Sequence, residues 1–406
     1  MNAKNSTGKT TAPTKVAVPN LSGLITPEVY YVIQEVFLHL KLTESWRGKI
    51  PTQEGFSKED KEALNLMVLA IMKDVWSPGG VNWEGFLPYV MLRLIRKRFT
   101  WDSKPANKKF FAERISKFER KLNEQAINQT EKMSANNFAQ YIQNEADNMV
   151  SPDTLKLYKA ARTVATLIEY EEMQYRLRPD ITETTRVEMR EDIEQFFCLP
   201  GYYDLIEGVG EFGKVKQLIR TISCARYTFR WQSHICNIRC NILTHMLESA
   251  MISYIQNLEE GVTDTDTLMR DFWIMLFHDI AEVWTDDIPG PLKDSFTVEW
   301  EGRTVKFREI TEAQEMEAVE NNFIANLPEK SKEFLNQHMM DAPNNAANHA
   351  RYKNADYFAA DWEVFWNILA GAKEPRYFEI LYDSLAFQPR TTNQKKAIIE
   401  FLKKVN

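Results

Sequence analysis

The chain of 406 residues is 44% hydrophobic and 26% charged, a balance that can fill a core and excludes wholesale disorder. Only 15 glycines and 16 prolines leave too few turn-formers for a sandwich, barrel or propeller, so an all-α protein is expected. The formal net charge of −7 excludes a general polyanion binder, and four cysteines (Cys198, Cys224, Cys236, Cys240) are too few for a disulfide framework, which fits reduced thiols and a cytoplasmic setting.

Residues 1–20 are rich in Lys, Thr, Ser and Asn and lack the apolar core of a signal peptide, so a disordered tail is expected there. No run approaches the ~18 apolar residues of a membrane span. Helical periodicity begins at Pro27 and marks 29–38, 62–72 and 82–99. Between Arg93 and Lys121 eleven Lys/Arg face three acids, a local balance of +8 in an acidic protein. Such a run is either a solvated helix face, the commoner outcome, or a phosphate site for a nucleotide effector or nucleic acid. Further helices are expected at 154–176 and 188–197, and a Gly-containing loop over 199–211 places a boundary near 200. The expected units are therefore the tail 1–20, an N-terminal helical domain 21–200 and a second domain 201–406. In the latter, helices are expected at about 213–223, 238–257, 266–280, 310–325, 330–338 and 350–370. A hairpin interrupts them, with β-branched and aromatic runs at 296–300 and 303–307 flanking Glu301-Gly302.

Among six histidines, His278 stands out. It forms an adjacent pair with Asp279 at the end of the apolar stretch 272–277, where ionisable groups are costly unless something compensates them. A metal ion would do so. His245 and Asp356 also sit in apolar stretches and are candidate partners. His234, Cys236 and Cys240 have a spacing that could hold zinc, but with no second Cys/His pair nearby, buried thiols and a surface histidine are the better reading.

The order His245, His278-Asp279, Asp356 resembles the HD-domain metal-dependent phosphohydrolases. The flanks are more specific. Phe277-His-Asp-Ile-Ala-Glu-Val-Trp-Thr-Asp-Asp-Ile-Pro-Gly-Pro-Leu-Lys293, the pair Arg230-Trp231 fifteen residues before His245, and Lys353-Asn-Ala-Asp356 resemble the bacterial HD-type 5′-deoxynucleotidases. The resemblance covers about 227–369. It implies an HD helical bundle and one divalent ion (Mn, Co, Mg, Fe, Ni or Zn) on His245, His278, Asp279 and Asp356. It also implies catalytic acids at Glu282 and Asp287, and a deoxynucleotide substrate held by Arg230, Trp231 and Lys293. Two features depart from the family: Thr244 precedes His245 where an acid is usual, and the hairpin has no counterpart.

The residue types suit that chemistry on their own. Two imidazoles and two carboxylates make a mixed nitrogen and oxygen donor set for a transition metal. Glu282 follows Asp279 by three and His278 by four, which on a continuing helix puts all three on one side. Arg230 offers a planar fork for phosphate. The expected activity is metal-dependent phosphohydrolysis of deoxynucleotides, as a 5′-deoxynucleotidase or a triphosphohydrolase. With triphosphates as substrate, depletion of the nucleotide pool, antiviral defence included, becomes a role. The rival readings are a phosphodiesterase on a cyclic or oligonucleotide signal, and a nucleotide-sensing or nucleic-acid-binding regulator. In the N-terminal domain the stretches 69–75 and 157–169 read either as a faint, degenerate repeat of the HD pattern, with Lys73 and Arg162 at ligand positions, or as a chance likeness between helices. This degenerate repeat would repel a metal and attract phosphate, and a homodimer or larger assembly is expected.

Overall fold

The computed structural model describes residues 21, 23–45, 56–99, 105–174, 179–341, 346–388 and 390–405. The tail expected over 1–20 lies outside them, as do Lys104 and the side chains of Lys108 and Lys109 in the basic run.

Helix α11 (Ile242–Glu259) is enclosed on every side, with each residue from Ile242 to Leu258 buried. A helix apolar around most of its circumference can only sit in a core. Around it stand α12 (Thr265–Leu276), α17 (Ala346–Leu369) and α2 (Lys58–Trp76). Ser57 starts α2 with a capping box: Asp60 N donates to Ser57 Oγ at 3.0 Å, and Ser57 N donates to Asp60 Oδ2 at 2.8 Å. The other oxygen of Asp60 accepts Asn241 Nδ2 at 2.8 Å, and Asn241 in turn caps α11 by accepting Thr244 N at 2.9 Å. One run of hydrogen bonds thus fixes the starts of α2 and α11 together, one turn before His245.

Helix α1 (Pro27–Lys41) packs on α2, on α3 (Phe86–Phe99) and on the last helix, α19 (Thr392–Val405). Tyr30 Oη donates to Glu259 at 2.8 Å, and Asn393 Nδ2 donates to the Ile25 carbonyl at 2.9 Å. A single buried apolar cluster runs from Leu24 to Leu402, so helices on both sides of residue 200 share one core. The remaining helices are α4 (Pro105–Arg114), α5 (Phe118–Lys132), α6 (Asn136–Asn148), α7 (Pro152–Met173), α8 (Pro179–Glu194), α9 (Tyr202–Glu207) and α10 (Glu211–Ser223). Beyond α12 come α13 (Glu282–Thr285), α14 (Gly290–Lys293), α15 (Phe307–Ala318), α16 (Glu329–Asp341) and α18 (Pro375–Phe387). Helices α4, α5, α6, α18 and α19 fall where the sequence placed no helix, and α9 forms within the loop expected over 199–211.

The all-α expectation is met: one two-stranded sheet and two isolated bridges are the β structure among the described residues. The hairpin forms as expected, β1 (Thr297–Trp300) against β2 (Arg303–Lys306), with Thr297 opposite Lys306. Its turn residues Glu301 and Gly302 both have positive φ, 51° and 78°, as a two-residue turn between twisted strands requires. No described helix is long and apolar enough to cross a membrane.

Lys73 and Arg162 have different surroundings. Lys73 donates to Asp74 at 2.7 Å and lies over the Phe334 ring, whereas Arg162 is exposed on α7, beside Lys61 and Asp192. Lys61 is twelve residues from Lys73 on α2, about 18 Å along the helix axis. The two cations of the degenerate repeat do not face a common site.

Candidate active site

His245 lies in the first turn of α11, held by the Asn241 cap. The expected helix over 266–280 instead ends at Leu276, where Phe277 leaves helical geometry at φ −119° and ψ 7°. His278 and Asp279 therefore stand in a tight turn, and Glu282 opens the short helix α13. The turn is closed by Ile280 N donating to the Phe277 carbonyl and Glu282 N to that of Asp279, so Glu282 stays beside the His-Asp pair without a continuing helix. Asp356 comes from the middle of α17.

One ligand atom from each of His245, His278, Asp279 and Asp356 converges within 4.8 Å of the others. His245 Nε2 is 3.1 Å from Asp356 Oδ1 and 3.8 Å from Asp279 Oδ2. His278 Nε2 is 3.3 Å from Asp279 Oδ2 and 3.8 Å from Asp356 Oδ1. His278 Nδ1 donates to the Met275 carbonyl at 2.7 Å, which leaves the lone pair of the neutral ring on Nε2, facing the acids. That Nε2 is buried without a hydrogen-bond partner. Burial alone would lower the His278 pKa, but Asp279 and Asp356 outweigh it and raise it to about 10. The cluster favours positive charge. Two imidazole nitrogens and two carboxylate oxygens around an orphaned buried nitrogen fit a small divalent ion.

Arg230 and Trp231 are tied to the start of α11 by a β-bridge, Arg230 N donating to the Cys240 carbonyl at 2.8 Å. Arg230 Nη1 reaches Asp279 Oδ2 at 3.4 Å, and Nε reaches Glu363 Oε2 at 3.3 Å. Trp231 takes a left-handed backbone, φ 61°, and its indole donates to Glu363 Oε2 at 2.7 Å. Glu282 is buried, and its Oε2 has no partner. Burial, then the charges of Asp279 and Asp287, push its carboxyl well above the usual range. Asp287 is likewise raised, by burial first, with Arg230 opposing. Lys293 is within electrostatic reach of Glu282 but pairs with Glu315 at 2.7 Å.

Residues 217–405 match the family model of the YfbR-like 5′-deoxynucleotidases. This segment is similar to that family. No curated protein matches the chain. The YfbR-like segment contains all nine residues singled out from the motifs, and the chain before residue 217 lies outside it.

Two features of the site escaped the sequence reading. Glu363 is fully buried, its Oε1 3.3 Å from His245 Nδ1. Burial would raise its pKa, but Arg230 and His245 overcome that and hold it down, at about 2. A carboxylate on the far nitrogen fixes the ring and raises its basicity. Its signal was available: Glu363 follows Asp356 by seven residues, two turns along one face of α17. The second feature is Lys41 on α1, whose Nζ donates to Thr244 Oγ1 at 2.8 Å. The hydroxyl that stands where the family usually has an acid is therefore an acceptor for a lysine from outside the YfbR-like segment. The Cys236 thiol lies 3.1 Å from Tyr377 Oη, and Cys240 is buried; neither is in a metal-type cluster among the described residues.

Proposed function

We propose that the protein is a metal-dependent phosphohydrolase that cleaves the 5′-phosphate end of deoxynucleotides. The reading is carried by the convergence of His245, His278, Asp279 and Asp356 within 4.8 Å beside the buried, unpartnered Glu282. The family match supports the substrate class.

His245 Nε2, His278 Nε2 and one oxygen each of Asp279 and Asp356 would hold the ion. When bound, a divalent ion supplies Lewis acidity that polarises a phosphoryl oxygen and acidifies water. The chain's own groups do the rest. Arg230 presents a guanidinium at the rim of the cluster, where it can grip the phosphate and stabilise charge that develops on it. Trp231, pinned through its indole to Glu363, offers a flat apolar face beside that phosphate for the sugar. Glu282 carries a proton more readily than an exposed glutamate, because burial and two neighbouring acids oppose its ionisation. It is placed to exchange a proton with the attacking water or the leaving 5′-oxygen. Asp279 and Asp287 keep Glu282 in that state, and Arg230 and Lys293 partly offset them.

The test is release of phosphate, pyrophosphate and triphosphate from a panel of dNMPs, dNTPs and ribonucleotides with Mn, Co and Mg. Phosphate from dNMPs, with weaker turnover of ribonucleotides, is the expected result. Triphosphate release would move the substrate to dNTPs within the same reading. No release from any deoxynucleotide with all three metals would overturn it.

A further inference from the structure

His245 has a second buried cluster behind it. One ligand-type atom from each of His245, Glu248 and Glu363 lies within 4.8 Å of the others, and all three residues are fully buried. Three such groups would be costly in an apolar core without a cation. Arg230 answers Glu363 at 3.3 Å, and the cation on Glu248 is Lys41. Its side chain is 5% exposed, its Nζ lies 2.8 Å from Glu248 Oε1 and 3.6 Å from Glu59 Oε2, and it sits 5.2 Å above the Trp366 ring. Together with the bond to Thr244, the ammonium grips α11 at residues 244 and 248, which flank His245 on both sides. Lys41 ends α1, where a positive charge also suits the helix dipole.

We propose that Lys41 is a positioning residue for His245: helices α1 and α2 complete the active site of the YfbR-like segment by inserting an ammonium beneath its first histidine. The proposal rests on the metal-site reading above. Lys41 touches neither the proposed ion nor the substrate. It fills the space behind the histidine that a second ion would otherwise seek, and it holds Thr244 and Glu248, so that Nε2 faces the two aspartates.

The sign of the effect separates positioning from mere charge. Removing a positive charge near a cation site, with geometry intact, tightens binding of a divalent ion. Removing a positioning contact weakens it, and loss of groups behind metal ligands typically costs about 10–100-fold in affinity. The experiment is calorimetric titration of Mn2+ into the full chain and its Lys41→Met, Thr244→Val and Lys216→Met variants, each checked by thermal melting. Lys216 is a comparable buried cation, paired with Glu171 at 2.9 Å. The expected result is at least tenfold weaker Mn2+ binding by Lys41→Met, a smaller weakening by Thr244→Val, and wild-type binding by Lys216→Met. Unchanged or tighter binding in folded Lys41→Met overturns the proposal. Should Lys41→Met fail to fold, wild-type affinity in Thr244→Val overturns it. A wild-type chain that binds no Mn2+ removes the metal-site reading itself, an outcome distinct from the other two.

Discussion

Two buried polar clusters sit in this molecule, and they are built on opposite principles. In the N-terminal half, Glu62 is surrounded by its own counter-charges: Lys97 Nζ lies 2.6 Å from Glu62 Oε2, Tyr158 donates to Glu62, and Arg93 Nε donates to Tyr158 at 3.0 Å. Around His278, by contrast, two carboxylates and two imidazole nitrogens face one another, and His278 Nε2 has no hydrogen-bond partner. The first cluster is closed and holds helices α2, α3 and α7 together. The second is poised for something to enter. What sets the second cluster apart is a buried nitrogen left without a hydrogen-bond partner; burial and paired charges are common to both.

If the orphaned nitrogen marks a metal site, its members should be separable by what they lose. Asp279→Ala removes a ligand, and both metal binding and turnover should fall below detection in calorimetry and phosphate release. Retained metal stoichiometry in that variant would show the ion sits elsewhere. Glu282→Ala should keep the metal and lower turnover by ~10²–10⁴-fold, the usual worth of general acid-base assistance. Equal metal loss in the two variants would make Glu282 a ligand or a structural residue.

The closed cluster should respond in stability alone. Truncating one partner of a buried pair leaves an uncompensated charge, so Glu62→Gln should cost about 3 kcal/mol by denaturant unfolding, with Mn2+ affinity unchanged. The pH dependence has a definite sign. Burial would raise the Glu62 pKa, but Lys97 and Arg93 outweigh it and hold the carboxyl well below the usual range. A folded pKa below the unfolded value of about 4.3 gives stability that is full above that pH and is lost as pH falls toward the folded value. Glu62→Gln should therefore flatten the acid limb of the stability curve below about pH 4.3. Parallel curves for wild type and variant would show that the pair contributes nothing to acid lability.

How far each cluster could be read from the sequence follows from how it is assembled. His278, Asp279 and Glu282 are neighbours in the chain, so their closeness in space was legible. Glu62, Arg93, Lys97 and Tyr158 come from α2, α3 and α7, and Lys41, Glu59 and Glu248 from α1, α2 and α11, whose approach no local pattern encodes. The all-α class and the hairpin were legible because periodicity and turn chemistry act locally. The break at Leu276 was not, because apolar periodicity runs on through Phe277 and Ile280, both buried, while the backbone turns. Helix α6 could have been read from Phe138, Ala139, Ile142 and Ala146, which share one buried face at helical spacing.

The smallest effect is expected on the basic run between Arg93 and Lys121, whose +8 balance suggested an effector or assembly surface. The structure disperses much of that charge. Lys97 pairs with Glu62 and Arg98 lies 3.7 Å from Glu35, both acids from outside the run, and Arg96 pairs with Glu119 within it. Lys97 is thus a structural residue, and reversing it would break the closed cluster instead of testing the surface. Lys117 and Lys121 are the sharper probes, being exposed near the start of α5. A solvated face predicts that Lys117→Glu with Lys121→Glu shifts stability by no more than about 0.5 kcal/mol. It also predicts wild-type mass in light scattering and an unaltered response of turnover to added nucleotides. A change in oligomer size or nucleotide response, with the melting temperature preserved, would instead establish this face as a contact surface. The basic run would then serve function without burial, and burial would no longer be the guide to where this molecule acts.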